Sequence, residues 1–279
     1  MSDHFAAFSF VDRITDLVPG TRARGSFAIP RTIASFPSCL MAEAVGQLAA
    51  WVAMSRIEFR GRPVAALASE TRFVRAAKPG ETLSLAVEID DCDDEAVAYR
   101  GWADIDGARA IELEDCLGPM LPLGDFDDPA AMRERFDLLT GAGAAPGRFR
   151  GVELARARRE PSVNATSARA SLEVPQAAAF FYDHFPRRAV FPATLMLDAQ
   201  IDLALALARA SAHWHAGAVL APVRMTHVKV RAFTAPGTRL ALKAEMRPPG
   251  NGEVTFMLAA EAEGKTVATS RVVIAENKA

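Results

Sequence analysis

Apolar and polar residues alternate with a period of two over several short runs of the chain, a pattern that predicts β-strands. The first run, residues 8–29, is divided by Pro19-Gly20, which predicts a hairpin of two strands. The same alternation predicts strands over residues 63–76, 82–89, 97–103, 110–118 and 168–174. Asp106-Gly107, a pair typical of tight hairpin turns, separates two of these strands.

Two longer runs, residues 40–54 and 195–212, are apolar on nearly every side and rich in helix formers. Because a helix without a polar face needs burial all round, each run is predicted to be a buried central helix. Three to four further strands are expected between the second helix and residue 275. Strands wrapped around one apolar helix in each half predict an α+β architecture.

The two halves of the chain look like copies of one unit. Pro37 and Glu43 in the first half match Pro192 and Asp198 in the second, and each matched pair is 155 positions apart. Two downstream Pro-Gly turns are 157 positions apart. So steady an offset indicates an internal repeat, and each copy has the size of one domain.

Residues 124–150 have the composition of a linker, because they are rich in Asp, Pro, Gly, Ala and Arg. We therefore expect a first unit over residues 1–124, a linker over 125–150 and a second unit over 151–279.

The halves differ just before their helices. Ile29 and Pro37 are eight positions apart, whereas Val174 and Pro192, the corresponding pair, are eighteen positions apart. The first half therefore lacks about ten residues, and the histidine of the second half, His184, lies in the segment that is missing.

Composition predicts a folded, soluble protein, with 50% hydrophobic and 24% charged residues. A net charge of −2 excludes the strong positive field of a nucleic-acid-binding protein. Three cysteines without metal-like spacing favour a reducing compartment. The N-terminus does not read as a signal peptide, and the longest apolar stretch is interrupted by charges, so the cytoplasm is expected.

Residues 184–198 read HFPRRAVFPATLMLD, which places a histidine just ahead of the second helix and an acid inside it. This run resembles the active-site signature of the hotdog-fold 3-hydroxyacyl-[acyl carrier protein] dehydratases. The matching positions are His184, Phe185, Pro186, Pro192 and Asp198, while Arg187 and Ala193 stand where that family has glycines. The resemblance implies a double hotdog, in which two antiparallel sheets each wrap a buried central helix and form an internal pseudodimer.

Dehydration of a 3-hydroxyacyl thioester needs a base for the α-proton, an acid for the leaving hydroxide and stabilisation of the thioester oxygen. A neutral His184 suits the base. A carboxyl group in an apolar helix suits the acid, because burial raises its pKa. The backbone amide of Ala193, at a helix N-terminus, suits the developing negative charge.

In the resembled family, the histidine and the acid of one site come from different protomers. Carried over to this chain, His184 acts with Glu43, and Asp198 is a secondary or vestigial acid because its own site lacks a histidine. Gln47, one helical turn after Glu43, is expected to orient the carboxyl group. Asp202 occupies that place in the second helix.

The resemblance implies removal of water from 3-hydroxyacyl thioesters on acyl carrier protein or coenzyme A, giving trans-2-enoyl thioesters in fatty acid or polyketide-type biosynthesis. No cofactor is expected, and no metal, because His213 and His215 lack a third ligand nearby. Arg187 and Arg188 are candidates for docking an acidic carrier. A hotdog acyl thioesterase and a non-catalytic acyl-binding or assembly partner are alternatives, and a further homodimer is left open.

Overall fold

The computed structural model describes residues 5–152, 157–160, 165–215, 217–248, 250 and 252–277. The first half consists of short antiparallel strands and one long helix. Its elements are β1 (Arg13–Val18), β2 (Arg22–Ala28), α1 (Ser38–Arg56), β3 (Gly61–Pro63), β4 (Leu67–Phe73), β5 (Thr82–Cys92), β6 (Ala96–Ile105) and β7 (Ala108–Pro122).

A second helix, α2 (Pro129–Thr140), precedes the second half, which repeats the plan of the first. Its elements are β8 (Arg158–Arg159), β9 (Ser167–Glu173), α3 (Ala193–Ala210), β10 (Leu220–Val230), β11 (Arg239–Met246), β12 (Glu253–Ala262) and β13 (Lys265–Glu276).

All of these strands belong to one antiparallel sheet, in the order β1-β2-β5-β6-β7-β4-β10-β13-β12-β11-β9-β8, with β3 paired to β7. The halves meet where β4 pairs with β10, and Thr71 lies opposite Met225 in that register. The order β2-β5-β6-β7-β4 in the first half corresponds to β9-β11-β12-β13-β10 in the second. The sheet is therefore continuous across the repeat, and each half wraps its own helix.

Helices α1 and α3 form the centre of the core, as their apolar sequences predicted. Leu40, Met41 and Leu48 of α1 are at most 1% exposed, and Leu203 and Ala204 of α3 are similarly buried. Burial of a leucine-sized side chain contributes roughly 1.5–3 kcal/mol, so these side chains stabilise the packing of the two helices against the sheet. This arrangement is the double hotdog fold.

The predicted turn at Asp106-Gly107 is confirmed. Both residues have positive φ angles, of 52° and 78°, as the tight turn between β6 and β7 requires.

The segment predicted as a linker, residues 125–150, contains helix α2. Asp128 caps this helix by accepting hydrogen bonds from the amides of Ala130 and Ala131. Met132 and Leu139 are buried on its inner face. The boundaries of the two repeated units remain a prediction. Among the described residues, no helix combines the length and the apolar character that crossing a membrane requires.

Candidate active site

A cavity of about 380 Å³ lies where the two halves meet. Its walls come from the helices α1 and α3 and from strands β3, β4, β6, β7 and β10. Four of the residues predicted for the site line it together: Glu43, Gln47, His184 and Ala193. Glu43 and Gln47 come from the first half, and His184 and Ala193 come from the second. Volumes of this order are typical of sites for small molecules.

Two hydrogen bonds fix the carboxyl group of Glu43. Gln47 Nε2 donates to Glu43 Oε1 at 3.0 Å, and Thr194 Oγ1 on α3 donates to Glu43 Oε2 at 2.9 Å. Burial raises the pKa of Glu43 above its ordinary value, while these bonds and the charge of Arg62 lower it in part. An acid with a raised pKa holds its proton at a higher pH and can donate it in a reaction.

Gln47 is held by the N-terminal segment of the chain. The amide of Phe10 donates to Gln47 Oε1 at 2.8 Å, and Gln47 Nε2 donates to the carbonyl of Phe8 at 2.9 Å. Because the Phe10 amide can only donate, the amide group of Gln47 has one orientation, with its nitrogen toward Glu43.

The ring of His184 is oriented by a backbone carbonyl. His184 Nδ1 lies 3.4 Å from the oxygen of Val190, a long contact at the limit of a hydrogen bond. Since a carbonyl only accepts, this contact favours the tautomer with the proton on Nδ1 and leaves Nε2 free to accept a proton. Phe8 and Phe185 pack against the ring, with centroid distances of 5.2 and 4.0 Å.

Burial lowers the pKa of His184 to about 3, and the charge of Arg62 acts in the same direction. The imidazole is therefore neutral at neutral pH, the state that a general base requires.

The loop that carries His184 is anchored by its neighbour Asp183. The carboxylate of Asp183 accepts hydrogen bonds from the amides of Phe5 and Phe8, at 2.5 and 2.6 Å, and from Ser9 Oγ at 3.2 Å. The N-terminal segment of the first half thus contacts both Gln47 and the histidine loop.

Sequence reasoning missed Arg62 of β3. Its guanidinium Nη1 lies 3.0 Å from Asp127 Oδ2, and the two side chains are only 14% and 2% exposed. The Arg62 Cζ atom is 4.6 Å from the centroid of the Phe185 ring. An arginine in the middle of a strand carries no local signal of burial, so no sequence pattern predicts this contact.

Ala193 is the first residue of α3, and its predecessor Pro192 gives the helix no side-chain cap. The amides at a helix N-terminus lack intrahelical partners and lie at the positive end of the helix dipole. Ala193 also lines the cavity, so the N-terminus of α3 lies at the cavity wall.

Asp198 is not among the residues that line this cavity. Its carboxyl group has a hydrogen bond with Cys39, at the start of α1, and burial raises the pKa of Asp198 to about 6. Cys39 and Thr194 are 155 positions apart and therefore occupy equivalent places in the two halves. Glu43 contacts Thr194 and Asp198 contacts Cys39, so each acid contacts the first turn of the opposite helix. Asp202, whose pKa is also raised by burial, stands where the first half has Gln47. Ser35, at the shortened loop, is exposed.

The candidate docking arginines lie on one side of the histidine loop. Arg187 Nη2 pairs with Asp128 Oδ2 at 2.6 Å. The Arg188 guanidinium stacks over Phe126 and Phe233, at 5.5 and 4.7 Å. Phe233 lines the cavity and is 38% exposed, which places these arginines near an opening.

No cluster of three or more candidate metal ligands occurs in the described part of the chain. His215 Nε2 instead lies 2.8 Å from a carboxylate oxygen of Glu276.

The fold is a double hotdog, and its cavity is lined by both a histidine, His184, and a carboxyl group, that of Glu43. The model of a family described as ApeI-like (ApeI dehydratase) matches residues 160–271. A 3-hydroxyacyl-[acyl-carrier-protein] dehydratase FabZ of Clostridium acetobutylicum is 30% identical over 115 residues, covering 37% of this chain and 82% of the relative. The corresponding protein of Bacillus subtilis is 32% identical over 122 residues, covering 40% and 86%. The chain belongs to this family of hotdog-fold dehydratases.

Solved structures support the fold. A hotdog-fold protein from Alicyclobacillus acidocaldarius gives a TM-score of 0.55 at 12% identity and covers 100% of this chain and 99% of its own. A MaoC-like dehydratase gives 0.53 at 10% identity, covering 93% and 98%. Acyl-CoA thioesterase II TesB2 from Mycobacterium marinum gives 0.54 at 13% identity, covering 94% and 95%. At these identities the likeness concerns the fold alone.

Proposed function

We propose that this protein is a dehydratase that converts 3-hydroxyacyl thioesters into trans-2-enoyl thioesters, with His184 as the base and Glu43 as the acid. The observation that carries the proposal is the shared cavity, which brings a neutral histidine from one half toward a carboxyl group with a raised pKa from the other. The family relationship supports the same reaction class.

The reaction needs one proton removed and one supplied. In the proposed mechanism, His184 Nε2 takes the proton from carbon 2, and the electron pair moves toward the thioester carbonyl. The amide of Ala193 stabilises the resulting negative oxygen. The electron pair then forms the double bond while the carbon–oxygen bond at carbon 3 breaks. Glu43 gives its proton to the departing hydroxyl, which leaves as water.

We propose one working site in each chain. Asp198, which contacts Cys39, faces the half in which the histidine loop is shortened. Glu43 therefore serves the catalytic site, and Asp198 is a vestigial acid. Gln47 and Thr194 keep the Glu43 carboxyl group in position through their hydrogen bonds.

The acyl group is proposed to arrive as a thioester of acyl carrier protein or coenzyme A, in fatty acid or polyketide-type biosynthesis. Arg188, beside Phe233 at the cavity opening, and its neighbour Arg187 are candidates for contact with an acidic carrier. The unpaired state of Cys39, Cys92 and Cys116 fits the proposed cytoplasmic location.

The test is to incubate the purified protein with 3-hydroxyacyl and 2-enoyl thioesters and to measure interconversion and free thiol separately. Interconversion that is lost in His184→Ala supports the proposal. Thiol release without enoyl formation would reassign the protein as a thioesterase. Acyl binding without turnover at any chain length would favour the non-catalytic alternative.

A further inference from the structure

Arg62 lies close enough to His184 and to Glu43, the two residues proposed to react, for its charge to act on both. It lines the cavity together with Glu43 and His184, and it also lines a second, small cavity beneath the N-terminal segment. We propose that Arg62 is a positioning residue, whose buried guanidinium holds the His-Phe-Pro turn and places a fixed positive charge in the cavity that His184 and Glu43 share. The proposal rests on the proposed function for its catalytic consequence, but its electrostatic part can be measured separately.

The contacts of Arg62 fix its position. On one side, the buried ion pair with Asp127 holds the guanidinium at 3.0 Å. Its Cζ atom also lies 4.6 Å from the centroid of the Phe185 ring, the second residue of the His-Phe-Pro turn. A planar guanidinium combines these two contacts better than lysine, because it can stack and bind a carboxylate at once.

The charge of Arg62 acts on both partners in the same direction. After burial, Arg62 is the second cause that lowers the pKa of His184, because a nearby cation disfavours the imidazolium. The same charge lowers the pKa of Glu43, because it favours the carboxylate, against the larger effect of burial. The base therefore stays neutral, and the carboxylate that remains after Glu43 gives up its proton is stabilised.

Other charged and titratable groups surround this arrangement. The carboxylate of Asp183 accepts hydrogen bonds from the N-terminal segment, and Asp127 is paired with Arg62 itself. Both carboxylates, with Glu43, favour the charged form of Arg62 against burial. Burial raises the pKa values of Tyr99 and Cys39, and the charge of Glu43 adds to the rise in both.

A merely structural role explains this arrangement poorly. A buried ion pair costs desolvation, and apolar side chains of similar size are often as stable in its place. Here the positive member of the pair faces the cavity that holds the histidine and the acid, while the negative member is 2% exposed behind it.

The experiment compares the pH dependence of kcat/KM in wild type, Arg62→Met and Arg62→Lys. Loss of the charge in Arg62→Met raises both pKa values, so the acidic and basic limbs of the profile both move to higher pH. Arg62→Lys keeps the charge, so both limbs stay near their wild-type positions even if the maximal rate falls. A packing defect alone lowers the rate without moving the limbs.

If Arg62→Met does not fold, Arg62→Met/Asp127→Leu replaces the whole ion pair with apolar side chains and is expected to move the limbs in the same direction. Folded charge-free variants whose limbs coincide with those of wild type would overturn the proposal.

Nitrogen-detected NMR of the His184 ring gives a readout that needs no turnover, with His184→Ala for assignment. In wild type, the neutral ring should persist to lower pH than in the charge-free variant. An unchanged midpoint would overturn the electrostatic role even in an active enzyme. A raised midpoint in a protein without dehydratase activity would support that role while contradicting the proposed function.

Discussion

The hydroxyl group of Thr194 on α3 donates a hydrogen bond of 2.9 Å to the carboxyl group of Glu43 on α1. This bond joins the two halves of the chain at the proposed acid. Its counterpart in the repeat is the contact between Cys39 and Asp198, in which each partner lies 155 positions from its equivalent. A contact between the two helices is thus present at both equivalent places in the repeat, whereas the full-length histidine loop is present in the second half alone.

We expect Thr194→Val to reduce kcat/KM by roughly tenfold, the effect of about 1.4 kcal/mol, because an isosteric side chain removes the bond without changing the volume. The bond lowers the pKa of Glu43, so its loss should also move the basic limb of the pH profile upward. Thr194→Ser, which keeps the hydroxyl group, is the control. Equal pH profiles for wild type and Thr194→Val would show that the bond does not act on the reacting acid.

The choice of acid is tested by removing each carboxylate. Glu43→Gln and His184→Ala should each reduce turnover by at least about a hundredfold, the usual scale for a positioned acid or base. The double variant should be little worse than either single one, because residues that act as a unit are not additive. Asp198→Asn should have a mild effect on turnover. Abolished turnover in Asp198→Asn with tolerance of Glu43→Gln would mean that base and acid come from the same half.

Asp198 should also influence stability, with a defined dependence on pH. Burial raises its pKa from 3.8 to about 6 in the folded protein, so the folded state binds its proton more tightly than the unfolded state does. The stability due to this group is present below about pH 4 and is lost as pH rises toward 6. Asp198→Asn, which stays neutral, should therefore gain stability relative to wild type across this range, by up to about 3 kcal/mol above pH 6.

Chemical denaturation at pH 4 and at pH 7.5 measures this difference. If the difference in the free energy of unfolding between Asp198→Asn and wild type is the same at both pH values, Asp198 does not titrate as a buried acid. Asp202→Asn is the second variant, because the charge of Asp202, after burial, is a further cause that raises the pKa of Asp198, so its removal should reduce the pH-dependent difference.

The sequence was most informative where the signal was local. The apolar run at residues 40–54 lies within α1, and the Asp106-Gly107 turn lies between β6 and β7. Helix α2 was missed because only a narrow face of it is buried, within a segment whose composition suggested a linker. Thr194 and Arg62 were missed because their partners lie 151 and 65 residues away, and no local pattern records such contacts.

The repeat also predicts where an acyl chain would lie. Gly46 of α1 lines the cavity, and the residue 155 positions later is the buried Ile201 of α3. A Cβ atom added at Gly46 would lie 3.3 Å from Tyr99 Oη, so alanine fits tightly and a larger side chain enters the cavity. The space beside α1 therefore depends on the absence of a side chain at this position.

Gly46→Leu should lower the ratio of kcat/KM for 3-hydroxydecanoyl over 3-hydroxybutanoyl thioesters by at least about tenfold. The reason is that the longer acyl chain needs the part of the cavity that the leucine side chain would fill. Ala206→Leu adds the same side chain to α3 at a half-buried position that does not line the cavity, and it should leave the ratio unchanged. An unchanged ratio in a folded Gly46→Leu protein would show that the chain lies elsewhere.

The halves should not function apart, because each contributes an essential part of the sheet and of the site. Strand β4 of the first half pairs along its length with β10 of the second, and the cavity takes its acid from one half and its base from the other.

A break between Ala145 and Pro146, which are exposed, separates the halves after α2. Either half expressed alone should be insoluble or inactive, since an unpaired edge strand and an apolar helix face would be exposed. Co-expression of the two pieces should restore a soluble, active complex, which separates the effect of the break from that of losing a half. Activity in the isolated second half, as a homodimer that pairs His184 with Asp198, would contradict the asymmetric site.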